Sequence, residues 1–201
     1  MDSLIPEAKS DKAPHMRILA LSTVLVALGA CQSGSDLADA FDTRQNAGAC
    51  PPAGAIYQAA RVVKFDGEEE RFSNVEYTGE IVDVRLYCRY ADNDPVRAEI
   101  EIDFAFGKGP AAGPNSHDYT YWVAVTRRSG KVLNKERFAV RADFSDGPVS
   151  GTTEVLQEII IPRADESVSA ASFEILIGFD LTESQRTYNA EGRRFRLGAS
   201  Q

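Results

Sequence analysis

Val96-Arg97-Ala98-Glu99-Ile100-Glu101-Ile102-Asp103-Phe104-Ala105-Phe106 decides the fold class. Every second residue is apolar, and Arg97, Glu99, Glu101 and Asp103 fill the positions between. Successive side chains of a strand point to opposite sides, so this pattern predicts an antiparallel strand with one face in a core and the other in water. Just upstream, Glu80 to Tyr90 alternates too. It places Val82, Val84, Leu86, Cys88 and Tyr90 on the core face and Asp83, Arg85 and Arg89 opposite. Ala91-Asp92-Asn93-Asp94-Pro95 lies between them, with Asx residues to turn the chain and a proline that cannot continue a ladder. The two segments are expected to form a hairpin.

Working outward, the period of two recurs. Ile56 to Phe65 reads as a first strand and Tyr119 to Thr126 as another, aromatic and β-branched. Arg128-Ser129-Gly130-Lys131 turns the latter into Val132 to Phe144, where Phe138, Val140, Ala142 and Phe144 share a face. Ser145 to Gly151 reads as a loop, Glu154 to Ile161 and Ser172 to Phe179 as further strands, and Pro162 to Ser167 as their connection. About seven antiparallel strands with almost no helix predict an all-β, two-sheet sandwich of immunoglobulin or fibronectin type over residues 50–201. A small closed β-barrel is the alternative. One helical signal stands near the end: Thr182 with Gln185 three residues later fits a capping box, predicting a short helix through Tyr188 that Gly192 stops.

The N-terminal residues bear on location. Ile18 to Leu28 is a continuous apolar run, too short for a bilayer span of about 20 residues but suited to the apolar region of a signal peptide. Arg17 precedes it; Gly29 and Ala30 follow and lead into Cys31. Leu28-Gly29-Ala30-Cys31 resembles the lipobox of bacterial lipoproteins, which implies cleavage after residue 30 and acylation of Cys31. Pro6, Pro14 and three acids among residues 1–15 are unlike a signal-peptide start, so translation from Met16 is expected. Gln32 to Ala49 is polar and small, a flexible tether reaching roughly 25 Å. Cysteine counting agrees: the chain holds three, at 31, 50 and 88. If Cys31 carries lipid, Cys50 and Cys88 are left to bridge in an oxidising compartment.

From Cys50 to Asn189 the chain resembles a group of alphaproteobacterial envelope lipoproteins without an assigned activity. The resemblance rests on Cys50-Pro51, Cys88-Arg89-Tyr90, the strand ending at Phe106 with Gly109-Pro110 after it, and Tyr121-Trp122-Val123-Ala124-Val125. Gly178-Phe179-Asp180-Leu181-Thr182, leading to Gln185 and Tyr188-Asn189, completes it. It implies fold and location alone. Gln32, following the anchor where a retention signal would have Asp, implies the outer membrane, facing the periplasm.

Composition narrows the chemistry. With 43% hydrophobic and 26% charged residues the chain has enough apolar content for a core. Its net charge of -8 argues against nucleic acid and against attraction to anionic lipid, so the membrane partner is reached through the acyl anchor. The mature part has one histidine, His117, in the Gly/Pro-rich segment Gly107 to His117, where it reads as a solvated loop residue. With both remaining cysteines committed, neither a Cys–His mechanism nor a zinc site has its ligands, and no cofactor or metal is expected. Gly107-Lys108-Gly109-Pro110 lacks phosphate-loop spacing. The acidic groups 66–70, 92–94 and 143–146 do not follow the EF-hand pattern and read as solvated turns. Arg193, Arg194 and Arg196 are expected to alternate with Phe195 and Leu197 on an edge strand. The candidate ligand patch is His117, Tyr119, Tyr121 and Trp122, alternation sending the two tyrosines one way and Trp122 the other. A non-catalytic module binding envelope protein or glycan is the expectation; a hydrolase acting on envelope glycans through paired carboxylates is the alternative.

Overall fold

The computed structural model describes residues 49–90, 95–165 and 167–195. The apolar run, Cys31, the tether up to residue 48, the turn residues 91–94, Arg196 and Leu197 lie outside them. The described chain runs β1 (Ala53–Ala55), a 3-10 turn (Tyr57–Ala59), β2 (Arg61–Phe65), a 3-10 turn (Phe72–Asn74), β3 (Val75–Arg89), β4 (Val96–Lys108), β5 (Ser116–Arg127), β6 (Val132–Asp143), β7 (Val149–Ile161), a 3-10 turn (Ala170–Ser172), β8 (Phe173–Phe179) and helix α1 (Glu183–Ala190). The strands form two four-stranded sheets, ordered β1-β8-β5-β6 and β2-β3-β4-β7. It is an all-β sandwich, open at both sides and not a barrel.

β4 carries the core as its alternation requires: Val96, Ala98, Ile100, Ile102, Phe104 and Phe106 are all buried. Opposite them, β5 and β8 contribute Tyr119, Tyr121, Val123, Val125, Phe173, Ile175, Ile177 and Phe179. The aromatic side chains meet near the middle, with Phe104 against Tyr121 at 5.0 Å and Phe106 stacked on Tyr119 at 4.5 Å between ring centroids. Such pairs add about 1 kcal/mol each beyond the area they bury.

Strand order and phase depart from the expectation in four places. First, Ile56 to Phe65 is not one strand. β1 pairs in parallel with β8 in one sheet, whereas β2 pairs with β3 in the other, and the 3-10 turn carries the chain across. That makes eight strands, one pairing of them parallel. The order is also not that of an immunoglobulin constant domain, whose second and third strands lie in different sheets; here β2 and β3 pair within one sheet.

Second, β3 changes phase. A bulge between Ile81 and Asp83 interrupts its pairing with β4. Before it, Val75, Tyr77 and Ile81 are buried; after it, Val84, Leu86 and Cys88 pack on the core. Val82, expected inside, is the extra residue and is 63% exposed, while Ile81 is 7% exposed. A bulge inserts one residue into one strand and flips the alternation beyond it. Third, Ser145 to Gly151 is shorter as a loop, because Val149, Ser150 and Gly151 pair with Gly107, Phe106 and Ala105 and lengthen β7. Fourth, Gly107 and Lys108 are strand rather than loop, and β5 starts at Ser116, so His117 is a strand residue.

The domain entrance is fixed to the far end of β3. Cys50 and Cys88 form a disulfide with Cα atoms 5.8 Å apart. Tyr90 Oη donates to the Ala49 carbonyl at 2.8 Å and accepts from the Ala170 amide at 3.3 Å. At the other end α1 has the expected capping box, Thr182 Oγ1 accepting from the Gln185 amide and Gln185 Oε1 from the Thr182 amide. Its Tyr188 joins Val63 and Val75 in a second, smaller cluster, with Phe65 and Phe195 packed on it.

Candidate functional site

The four residues expected to form one ligand patch occupy three different environments. Tyr119 and Tyr121 point into the sandwich and are core residues. Tyr119 Oη donates to the Thr78 carbonyl at 2.9 Å. Tyr121 is 0% exposed and its hydroxyl has no partner. Burial pushes both phenols above their ordinary pKa. They are not a contact surface. The reason is the phase of β5: its odd positions face β4, whose Phe104 and Phe106 need aromatic partners.

His117 shares that phase but lies at the end of the sandwich, half-buried. Its ring stacks on Tyr77 at 4.2 Å and 6° and meets Tyr119 edge-on at 4.7 Å. Burial first, then the nearby Lys64 ammonium, holds its pKa below the ordinary value, so it is a neutral stacking group rather than a solvated loop residue. A small recess of about 170 Å³ beside it is lined by Lys64, Asp118 and Gln185 among others.

Trp122 is on the outer face of the same sheet, β1-β8-β5-β6. Its Nε1–H donates to the Phe179 carbonyl at 3.1 Å. The ring lies over Gly178, where an added Cβ would come within 2.7 Å of Cζ2 and 2.6 Å of Ala59 Cβ. Lys135 Nζ sits 4.0 Å from the ring centroid, a cation–π contact.

The best-formed concavity was not anticipated from the sequence. A groove of about 380 Å³ runs across the outer face of the β2-β3-β4-β7 sheet. Cross-strand pairing builds its floor: Val63, Thr78, Gly107 and Val149 form one row, and Arg61, Glu80 and Ala105 the next. Thr78, Ala105 and Gly107 are small, which leaves the floor low. One wall is α1 and the chain after it. Asn189, buried, donates from Nδ2 to the Gln58 and Arg61 carbonyls at 2.9 and 2.7 Å, tying the helix end to β2. Residues 193–195 then pass alongside as a strap, not the edge strand expected. Arg193 pairs with Glu70 and Glu191 and lies over the Tyr188 ring, and Phe195 packs on Phe65 at 5.7 Å.

Arg61 is the unusual member of this wall. Its side chain is 11% exposed, and its guanidinium lies 4.9 Å from the Tyr57 ring. Nη1 approaches Glu80 Oε1 no nearer than 3.9 Å, and Nε and Nη2 are buried without a hydrogen-bond partner. Comparison of the chain with protein-family models, curated proteins and solved structures finds no match.

Three more features have structural explanations. On the same outer face Arg85 donates to Glu101 at 2.9 Å and to Asp103 at 2.6 Å, and Thr153 Oγ1 donates to Asp103 at 2.6 Å. The Arg85 and Thr153 hydrogen bonds hold the Asp103 carboxyl below its usual range. On the sandwich's open side, the edge strands β6 and β7 turn Glu136 and Glu154 toward the interior side of their sheets, in register with Val123 and Ile102. Inward charges, together with the β7 irregularity at Glu158 (φ 63°), discourage another strand from pairing there. In the acidic groups, Asp143 Oδ1 accepts from the Ser145 amide and hydroxyl, which closes a turn.

Proposed function

We propose that this protein is an envelope lipoprotein: acyl chains on Cys31 hold it to the membrane, and the sandwich beyond the tether is a non-catalytic binding module. The observation that carries the reading is the Cys50–Cys88 bridge. It uses two of the three cysteines and leaves over the one that follows Leu28-Gly29-Ala30. A disulfide fits an oxidising compartment outside the cytoplasm, and Gln32 after the anchor favours the outer membrane.

The binding role is supported by where concavity and charge coincide, at the Arg61 groove. The hydrolase alternative draws less support. A glycan hydrolase needs one carboxylic acid with a raised pKa. Among the described residues the carboxylates with a displaced pKa are Asp103, Asp143 and Asp165, and all three move downward because hydrogen-bond donors stabilise their charged forms.

Cell fractionation tests the reading. The native chain is expected in the outer-membrane fraction, with acyl mass on Cys31, and Cys31→Ser without acyl mass and out of that fraction. A native chain that is soluble, or a Cys31→Ser chain that still reaches the outer membrane, contradicts it.

A further inference from the structure

The open side of the sandwich carries a second concavity. β6 is bonded only to β5 and β7 only to β4, so the two edge strands leave a gap between the sheets. A cleft of about 300 Å³ lies in that gap, between residues 134–138 of β6 and 155–160 of β7. We infer that this cleft binds a small amine with an apolar body, an alkyl or phenylalkyl ammonium ion. The site is separate from the Arg61 groove and goes beyond the binding role assigned there. It stands or falls in solution, independently of where the protein is anchored.

The lining follows from the alternation of the two edge strands. Asn134, Glu136 and Phe138 are opposite Val125, Val123 and Tyr121 of β5, so all three take the inner phase of β6. On β7, Leu156 opposite Ile100 and Ile159 opposite Ala98 are inner residues as well. Between them Gln157 and Glu158 stand against Glu99 alone, a bulge that keeps both apolar side chains on the inner face. Phe138, Leu156 and Ile159 pack on the core yet stay half-buried, and the buried Val123 and Val125 complete the apolar lining. Val155 and Ile160, both exposed, carry that lining to the lip of β7. Covering such a surface is favourable in proportion to the apolar area taken out of water. The volume, at the lower limit of ligand pockets, suits a single short chain or ring rather than a two-chain lipid.

Charge selects the other end of the ligand. Glu136 and Glu158 line the cleft, and among the described residues no lysine or arginine does. The cations of β6 nearest in sequence are turned to its outer face: Lys135 lies over the Trp122 ring and Arg137 pairs with Asp180. Asn134 Nδ2 donates to Glu136 Oε1 at 2.8 Å, which orients the carboxylate and leaves Oε2 to accept from a ligand. Glu154, inward beside Ile102, adds a third negative charge on the same side. An ionised carboxylate only accepts hydrogen bonds, so the group complementary to this mouth is a cationic donor. A ligand of the same shape with a carboxylate head would be repelled by all three. Glu158 also holds a positive φ, 63°, which costs a non-glycine residue free energy, and such outliers cluster at ligand-binding sites.

The test is methyl NMR of the full chain, labelled at its Ile, Leu and Val methyl groups and held in phosphatidylcholine nanodiscs at neutral pH and fixed ionic strength. The probes are hexylamine and phenethylamine, both cationic there; hexanol and hexanoate are the uncharged and anionic controls. Free probe is measured against empty discs, so that uptake by lipid cancels. The inference expects saturable shifts of the Val123, Leu156 and Ile159 methyls with at least one amine, and binding of hexanoate at least about tenfold weaker than that of hexylamine. Glu136→Gln, at an exposed side chain, is expected to weaken hexylamine binding about threefold, and Glu136→Gln combined with Glu158→Gln about tenfold. Hexanol binding should stay within a factor of about two in both variants. No saturable shift with either amine overturns the inference. So does hexanoate binding as tightly as hexylamine, or native amine affinity in the double variant. Methyl shifts that follow protein concentration and not amine would place a second copy of the chain in the cleft, and overturn it too.

Discussion

Removing the Cys50–Cys88 bridge should destabilise the sandwich by an amount that can be worked from its position. The two cysteines are 38 residues apart. On the chain-entropy model, a loop of that size limits the unfolded chain by roughly 13 cal/mol/K, or about 4 kcal/mol at 25 °C. Urea m-values for domains of this size are about 2 kcal/mol/M, so the midpoint should fall by roughly 2 M in the Cys50→Ala/Cys88→Ala double variant. Reducing the native protein should move it to the same midpoint. Tyr90 gives an internal control: its hydroxyl ties Ala49 and Ala170 to the same end of the sheet, so the entrance should stay docked without the bridge. Equilibrium urea unfolding followed by tryptophan fluorescence measures the effect. A midpoint within about 0.3 M of the native value, with unchanged slope, would refute the reasoning, because the bridge would then close no loop in the unfolded ensemble.

Three other substitutions probe the fold. Ile81→Lys should cost about 3 kcal/mol or more by burying an unpaired charge, whereas Val82→Lys, one residue on, should stay within about 0.5 kcal/mol; thermal unfolding of the pair tests the β3 bulge directly. Gly178→Ala should cost about 2 kcal/mol and red-shift Trp122 emission, because the added methyl meets both Ala59 and the indole ring and one must move. His117 has a folded pKa lowered from 6.5, mainly by burial. The unfolded chain therefore binds more protons as pH falls below that value, and the stability contributed by neutral His117 is present above 6.5 and lost toward acid. His117→Gln should flatten the loss of Tm between neutral pH and pH 5, leaving the steeper loss near pH 4 and below, where Asp103, Asp143 and Asp165 take up protons.

The parts of this fold legible in the sequence are those written in consecutive residues. β4 shows its inner face in a single uninterrupted alternation, and the α1 cap is a local Thr182–Gln185 signature. The bridge followed from counting cysteines. β3 was harder because it contains two alternations of opposite phase, Val75-Tyr77-Ile81 and Val84-Leu86-Cys88, and the second, extended back through Val82, puts that residue inside. The signal was present in the odd-numbered run before Glu80. The break at Tyr57–Ala59 is invisible locally because its cause is a partner 120 residues away: β1 exists only where Ala53, Gly54 and Ala55 meet β8. The groove is less legible still. Its members Arg61, Glu80 and Ala105 become neighbours only through the registers of two strand pairs. Small outward residues on a strand also leave no pattern to read. Tyr119 and Tyr121 were correctly placed on one side of β5; which side was core depended on the aromatic residues of β4 facing them.

We propose that Cys31 is the anchor, while Cys50 and Cys88 form the bridge. Intact-mass and N-terminal fragment mass spectrometry of the protein isolated from its own cells, without reductant, tests both halves at once. The account predicts a chain that begins at Cys31, carries diacylglycerol and acyl mass on that residue, and is 2 Da lighter than the reduced form, as one disulfide requires. A chain beginning elsewhere, without acyl mass, or with Cys31 joined in a disulfide would contradict it.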